Sequence, residues 1–387
     1  MEDSVIPEPQ RTYVLELLKA LGPAAEDFVI AGAQAIKFML KEARGTKDID
    51  FVLDVAHLRE KPPKLRNILA ALGYIVVPGS RNFQFEKPIP QSKEVMRIEF
   101  MAPEEFKREK DFRVDIDNGV HARFCTGGSI AVSESSLHSL SGKLPDGSPF
   151  AFSVRVTKPH ALVMLKLLAL DDRYQNVRGP DQAQHDREEA RTHSADSVAV
   201  ASGQLDLRQF KENFINQFHR DHALGVRVLK ILDRYFRENT SPGLLVYEES
   251  IVADQPLDRA ARQKVAAEVD RAHQLMLQVL PPHELYALAT AIEDSCNADL
   301  NRPLVEGFLD NLKQTRTKIT DAAALERIPG EAFGAFRKGD TFVTNASEAL
   351  NKLSAMEVSL LHSYLENCAE PLRSHRDFAE RFGSILA

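Results

Sequence analysis

The chain is poor in cysteine, lacks any long apolar run and carries no excess of positive charge. Its cysteines, Cys125, Cys296 and Cys368, stand far apart with no Cys-x-x-Cys pair, which excludes a disulfide framework and reads as thiols of a reducing compartment. No stretch approaches the roughly 20 apolar residues that a membrane-spanning helix needs. Met1-Glu2-Asp3-Ser4 lacks the basic and apolar pattern of a signal peptide, so a cytoplasmic chain is expected. The net charge is −7, which excludes a global positive field for nucleic acid while leaving room for a local basic groove. His185, His193, His219 and His222 fall near one another without a zinc-ligand spacing and read as surface residues. No repeat period or low-complexity tract stands out. What is present is ordinary for a soluble globular protein: 387 residues, 43% apolar and 27% charged, long enough for two domains.

The most informative stretch is Arg44-Gly45-Thr46-Lys47-Asp48-Ile49-Asp50-Phe51-Val52-Leu53. Two carboxylates at i and i+2 within an apolar run belong to a β-strand, whose alternate side chains share a face. Asp48 and Asp50 therefore project together, while Ile49 and Phe51 face a core. Two like charges so placed are unfavourable unless a cation lies between them, and a hard divalent cation, Mg²⁺ above all, suits oxygen ligands. Upstream, Asp27-Phe28-Val29-Ile30-Ala31 predicts a strand, Gly32-Ala33 a tight turn, and Gln34 to Glu42 a helix closed by Gly45. Backbone N–H groups at such a turn suit phosphate. A phosphate cradle beside an Asp pair describes a nucleoside triphosphate site.

These residues resemble the nucleotidyltransferase superfamily with the DNA polymerase β-like fold. Its pattern is Gly-Gly or Gly-Ser, a spacer helix, Asp-x-Asp in a strand, and a third carboxylate on a later strand. Gly32-Ala33 stands for the first element, with Ala33 where Gly or Ser is usual, and Asp48-Ile49-Asp50 for the second. The Arg44-x-Thr46-x-Asp48-Ile49-Asp50 form is similar to AbiEii-type and related bacterial nucleotidyltransferases, several of them toxins of toxin–antitoxin systems. The resemblance covers roughly residues 25–200. It implies that Glu99, in Val95-Met96-Arg97-Ile98-Glu99-Phe100, is the third carboxylate, as a second-metal ligand or general base. It also implies that Lys166, within Pro159-x-x-x-x-x-x-Lys166-Leu167-x-Ala169-x-x-x-Arg173, contacts the triphosphate, and that Asp196 is a functional residue one helix later. On the residues alone, Lys166 also fits a lysine snorkelling from an apolar helix to water, and Glu99 fits a polar residue on a solvated strand face. Arg44 is placed to pair with phosphate and Thr46 to orient the loop; each equally fits an exposed cap.

Asp115 and Asp117 form a rival pair, but Asp117-Asn118-Gly119 is a hairpin-turn signal that explains them without a metal. Arg11–Leu21 carries the apolar spacing of an amphipathic helix. Leu65–Leu72 predicts a helix closed by Gly73, Tyr74–Val77 a strand, and Phe83–Phe85 a strand pairing with Val95–Met101. Further strands are expected around 112–116, 121–125 and 150–156, and a long helix after Pro159. From about Leu205 strand signals vanish, and 210–218, 226–236, 259–280, 283–297, 304–312 and 358–365 carry helical periodicity.

The fold class expected is α+β: a small mixed β-sheet nucleotidyltransferase domain with flanking helices (1–203), then an all-α accessory domain (204–387). The expected function is Mg²⁺-dependent transfer of a nucleoside monophosphate from an NTP to an acceptor hydroxyl of RNA, protein or a small molecule. The alternative is a catalytically inactive nucleotide-binding or interaction protein on the same fold; an Asp-x-Asp glycosyltransferase is a more distant one. Catalytic and metal roles fall on Asp48, Asp50 and Glu99, and nucleotide binding on Gly32, Ala33, Arg44, Thr46, Lys166 and Asp196.

Overall fold

The computed structural model describes residues 6–40, 46, 48–61, 63–90, 94–106, 113–117, 119–175, 179–204, 206–220, 222–252 and 258–279. Arg44, Gly45 and the helices expected at 283–297, 304–312 and 358–365 lie outside the described residues. Among those described, no helix is long and apolar enough to cross a membrane.

The chain opens with α1 (Gln10–Leu21), whose Val14, Leu17, Leu18 and Leu21 are buried at the predicted spacing. β1 (Phe28–Ala31) runs straight into α2 (Gly32–Lys37), and β2 (Asp48–Leu53) follows. α2 begins at Gly32 and ends at Lys37, so the turn and longer helix predicted from Gln34 to Glu42 are corrected: strand passes to helix with no intervening loop. The enabling feature is Gly32 itself, which holds φ +62, a conformation side chains disfavour. Two short helices, α3 (Val55–Glu60) and α4 (Leu65–Ala71), lead to β3 (Ile75–Val76), β4 (Gln84–Pro88) and β5 (Val95–Pro103). A hairpin of β6 (Arg113–Asp117) and β7 (Val120–Cys125) comes next, then α5 (Gly128–Ser133), β8 (Ser135–Lys143) and β9 (Pro149–Thr157). The helical part comprises α6 (Pro159–Gln175), α7 (Pro180–Ser202), α8 (Leu207–Arg220), α9 (His222–Phe236), α10 (Pro242–Val252) and α11 (Arg259–Val279).

The described strands form one mixed sheet in the order β3-β4-β5-β2-β1-β9-β8, with β7 pairing both β5 and β6. β2 lies between β1, to which it is antiparallel, and β5, to which it is parallel. One face is aromatic: Phe28 meets Phe51 and Phe100 edge-on at 5.8 Å each, and Phe85 packs on Phe100 at 5.6 Å. Ile49, Met96 and Ile98 are buried on that side as their alternation predicts. The opposite face carries the polar residues of β2 and β5, then turns apolar at Ala31, Val52 and Met101, which pack against Ala131 of α5 and Leu165 of α6. β6 and β7 pair antiparallel, as a hairpin would require, and Asp115 sits 2.9 Å from His121. β8, α5 and α10 were not anticipated, and Asp196 lies within the single long helix α7.

The chain divides into two units, Met1–Phe210 with Gly243–Ala272, and Lys211–Pro242 with His273–Ala387. Within the first, α10 is tied to α7: the Ser194 hydroxyl donates to the Gly243 carbonyl at 2.7 Å, and Glu249 accepts from Arg187 and Arg191. In the second, Phe214, Val228, Ile231, Leu232, Tyr235 and Phe236 are buried and Arg237 pairs with Asp233 at 2.7 Å.

Candidate active site

Sheet register assembles the site. Asp48 stands opposite Arg97, and Asp50 opposite Glu99, on adjacent parallel strands; side chains at the same level of neighbouring strands share a face about 5 Å apart. Asp48 and Asp50 therefore share the polar face, as their spacing predicted, and the register brings Glu99 level with Asp50 on the same face. Gln84 of β4 continues the row beyond Glu99.

Gly32 closes over Asp50. A Cβ built on Gly32 would fall 1.9 Å from Asp50 Oδ2, so the backbone at the start of α2 rests directly against the carboxylate. Ala33 is buried behind it. Burial first, and the charge of Glu99 second, push the Asp50 carboxyl up to about 7, against the pull of Lys166 and Arg123.

Lys166 does not snorkel. Its side chain is buried and its Nζ lies 2.7 Å from Asp196 Oδ2 on α7, also buried. The apolar contact of neighbouring Leu165 with the Val52 and Met101 cluster places this part of α6 over the polar face, and the Lys166 charge reaches Asp50. The two residues the family pattern picked out on separate helices thus form one ion pair. The Thr46 hydroxyl donates to the Asp48 carbonyl (3.2 Å) and accepts from the Asp48 N–H (3.3 Å), fixing the entry of β2.

Glu99 has its own partners. Gln84 Nε2 donates to Oε2 at 2.6 Å, and Arg123 Nε donates to Oε1 at 2.8 Å. On the other flank Arg97 lies 3.9 Å from Asp48 and 3.3 Å from Glu86. Arg97 and Arg123 escaped the sequence reading because their place depends on the pairing of β5 with β2 and β7; the pairing of β4 with β5 was expected, but not the register that sets Gln84 opposite Glu99. The available signal was the alternation of His121-Ala-Arg123-Phe-Cys125, which sets Arg123 on one face. Burial raises the Cys125 thiol to about 11, so it stays protonated and unreactive at neutral pH.

Among the described residues no group of three or more His, Cys, Asp or Glu side chains is arranged as a metal cage. The donor set nonetheless fits a hard cation. Mg²⁺ typically takes one or two carboxylates and completes its shell with water and substrate phosphate, and Asp48 and Asp50 supply two. A divalent cation would also compensate the charge crowding that raises Asp50.

A mixed sheet carrying an Asp-x-Asp strand, a helix-opening glycine against its second Asp and a lysine from a covering helix defines a nucleotidyltransferase domain. The profile of the family described as "Nucleotidyl transferase AbiEii toxin, Type IV TA system" matches residues 16–292, and the chain belongs to that family. The family is one of nucleotidyltransferase toxins of type IV toxin–antitoxin systems. No curated protein and no solved structure matches the chain.

Proposed function

We propose that the chain transfers a nucleoside monophosphate from an NTP to an acceptor hydroxyl, with pyrophosphate leaving, in the cytoplasm. The observation that carries this reading is the setting of Asp50, pressed against Gly32, level with Glu99, two residues from Asp48 and within reach of the Lys166 charge. Nucleotidyl transfer demands positioning and charge neutralisation more than covalent chemistry from the protein. Asp48 and Asp50 would hold Mg²⁺, whose contribution when bound is to neutralise charge on the triphosphate and on the attacking oxygen. Glu99 adds the third carboxylate charge beside them. The Gly32-Ala33 backbone and Lys166, paired with Asp196, would bind the β- and γ-phosphates. Thr46 fixes the strand entry, and Arg44 is proposed to pair with phosphate.

Every motif residue precedes Gly203, so residues 204–387 are proposed to hold the acceptor, whether RNA, protein or a small molecule. The test incubates purified protein with each α-labelled NTP, Mg²⁺ and total cellular RNA or total protein. Label transferred to one pool by the native chain, and lost with Asp50→Asn, supports the reading; no transfer to any pool from any NTP counts against it. A second reading, nucleotide binding without turnover, is favoured by Ala33 in place of the usual Gly or Ser and by the engagement of both Glu99 oxygens. Saturable NTP binding with no transfer would select it.

A further inference from the structure

Glu99 is held from both sides, and what holds it faces the site. Its carboxylate is largely buried, with one oxygen taken by Gln84 and the other by both Nε and Nη2 of Arg123, each at 2.8 Å for the arginine. A carboxylate so satisfied has little left to offer a metal or an incoming hydroxyl proton. The guanidinium is the open member of the trio. Arg123 sits on β7 level with Met101, on the polar face, and its side chain is 39% exposed. Beyond Glu99 its further contact is a weak one, Nη2 to Met101 Sδ at 3.8 Å, so the Nη1 donors are uncommitted among the described residues. Arg97 differs: it is shared between two carboxylates, Asp48 and Glu86.

The placement of Arg123 mirrors that of Lys166. Each is a cation whose charge bears on Asp50, and each is secured by one acidic partner, Lys166 by Asp196 and Arg123 by Glu99. Asp50 thus has a fixed cation from the α6 side and another from the β7 side. A guanidinium presents paired N–H donors that match two oxygens of one phosphate. Preorganised cations around a transferring phosphoryl group stabilise the charge that shifts onto the leaving oxygens.

We propose that Arg123 is a second phosphate-binding cation of the site, and that Glu99 with Gln84 is its anchor rather than a metal ligand or general base. The ligand chemistry is a phosphate group of a nucleoside triphosphate or the departing pyrophosphate. The proposal rests on the nucleotide-transfer reading and assigns roles within it.

Calorimetric titration of the full chain with Mg²⁺ and a non-hydrolysable NTP, and separately with inorganic pyrophosphate, tests it. Arg123→Met alone would strand the buried Glu99 charge, so the informative variant is Arg123→Met/Glu99→Gln, which removes both charges together. Its expected affinity for both probes is at least tenfold weaker than that of the native chain. Arg123→Lys keeps the charge but loses the fork, and is expected to weaken binding three- to tenfold, which secures the test if the double variant does not fold. Glu99→Gln, with Arg123 intact, is expected to require the same Mg²⁺ concentration for half-maximal nucleotide binding. Native affinity in Arg123→Lys or in the double variant overturns the proposal. So does a tenfold higher Mg²⁺ requirement in Glu99→Gln, which would make Glu99 a ligand. Absence of binding of any NTP to the native chain would instead sink the nucleotide reading itself, before any variant is compared.

Discussion

Gly32 and Asp50 are placed so closely that a single methyl group on the glycine would overlap the aspartate carboxylate, 1.9 Å from its Oδ2. The Asp-x-Asp strand and the glycine that precedes it by one short helix are therefore one device: the missing side chain is the space in which the carboxylate sits.

Gly32→Ala should accordingly be costly for two separable reasons. The φ of +62 alone costs about 1–2 kcal/mol for a residue with a Cβ, and the overlap must displace Asp50. A double-mutant cycle with Asp50→Ala isolates the second part, because removing the carboxylate frees the space. The expected result is a smaller destabilisation by Gly32→Ala in the Asp50→Ala background, read from urea denaturation. Equal penalties in both backgrounds would mean that the carboxylate does not occupy that space.

Asp50→Asn should abolish transfer and, in metal-free protein, raise stability. The carboxyl is lifted from its ordinary value near 3.8 to about 7, by burial and then by Glu99. As pH rises between those values the unfolded chain releases this proton before the folded one, so the native state loses stability over that interval. The loss is complete above pH 7 and absent below about pH 4. The amide carries no such charge. The variant should exceed the native chain by about 1–3 kcal/mol above pH 7, with the gap closing toward pH 4. Thermal melting in EDTA across that range measures it; a variant that is less stable at pH 8 contradicts the charge-crowding account, and one that keeps native turnover removes Asp50 from the chemistry.

How much of this was legible follows from which forces were local. Ile49, Phe51, Met96, Ile98 and Phe100 alternate with polar residues, so the strands, their faces and the Asp48–Asp50 pair could be read directly, whereas Glu99 joins that pair only through the pairing of β5 with β2 and was reached through the family resemblance. α7 could not, because its buried positions include Asp186, Ser194, Asp196 and Ser197, which leave little apolar periodicity to detect. β8 is rich in serine and takes its register from β9. The partners of the predicted charges were hidden for the same reason: Lys166 and Asp196 meet only when α6 packs on α7, and Arg123 reaches Glu99 only through the pairing of β7 with β5.

The Lys166–Asp196 pair decides a prediction that the sequence left open between a snorkelled lysine and a phosphate contact. A snorkelled lysine could be replaced by methionine at no cost, but here the change removes the ammonium 2.7 Å from the buried Asp196 carboxylate. Lys166→Met should destabilise by roughly 3–5 kcal/mol, whereas Lys166→Met/Asp196→Leu should recover most of that. Both should weaken NTP binding, by about 1.5–3 kcal/mol for loss of a charged hydrogen bond. Denaturation and nucleotide titration on the same two proteins check the two halves independently; a double variant with native nucleotide affinity would leave Lys166 a purely structural residue.

Glu249 offers a pH test away from the site. Hydrogen bonds from Arg187, and then from Arg191, outweigh burial and hold its carboxyl down at about 2, against an ordinary value near 4.5. A depressed carboxylate contributes stability that is fully present above the unfolded value and is lost as pH falls toward the folded one. The pair is partly exposed, so Glu249→Gln should cost only about 1 kcal/mol at pH 7. That difference should begin to shrink below about pH 4.5 as the native chain itself loses the contribution. Since the bond joins α7 to α10, the loss should appear first as faster amide exchange in Pro242–Val252, measured by hydrogen–deuterium exchange at pH 7. Unchanged exchange in that helix would show that the hydrogen bond from Ser194 to the Gly243 carbonyl and the apolar contacts of Leu244 and Val246 hold it without the arginine clamp.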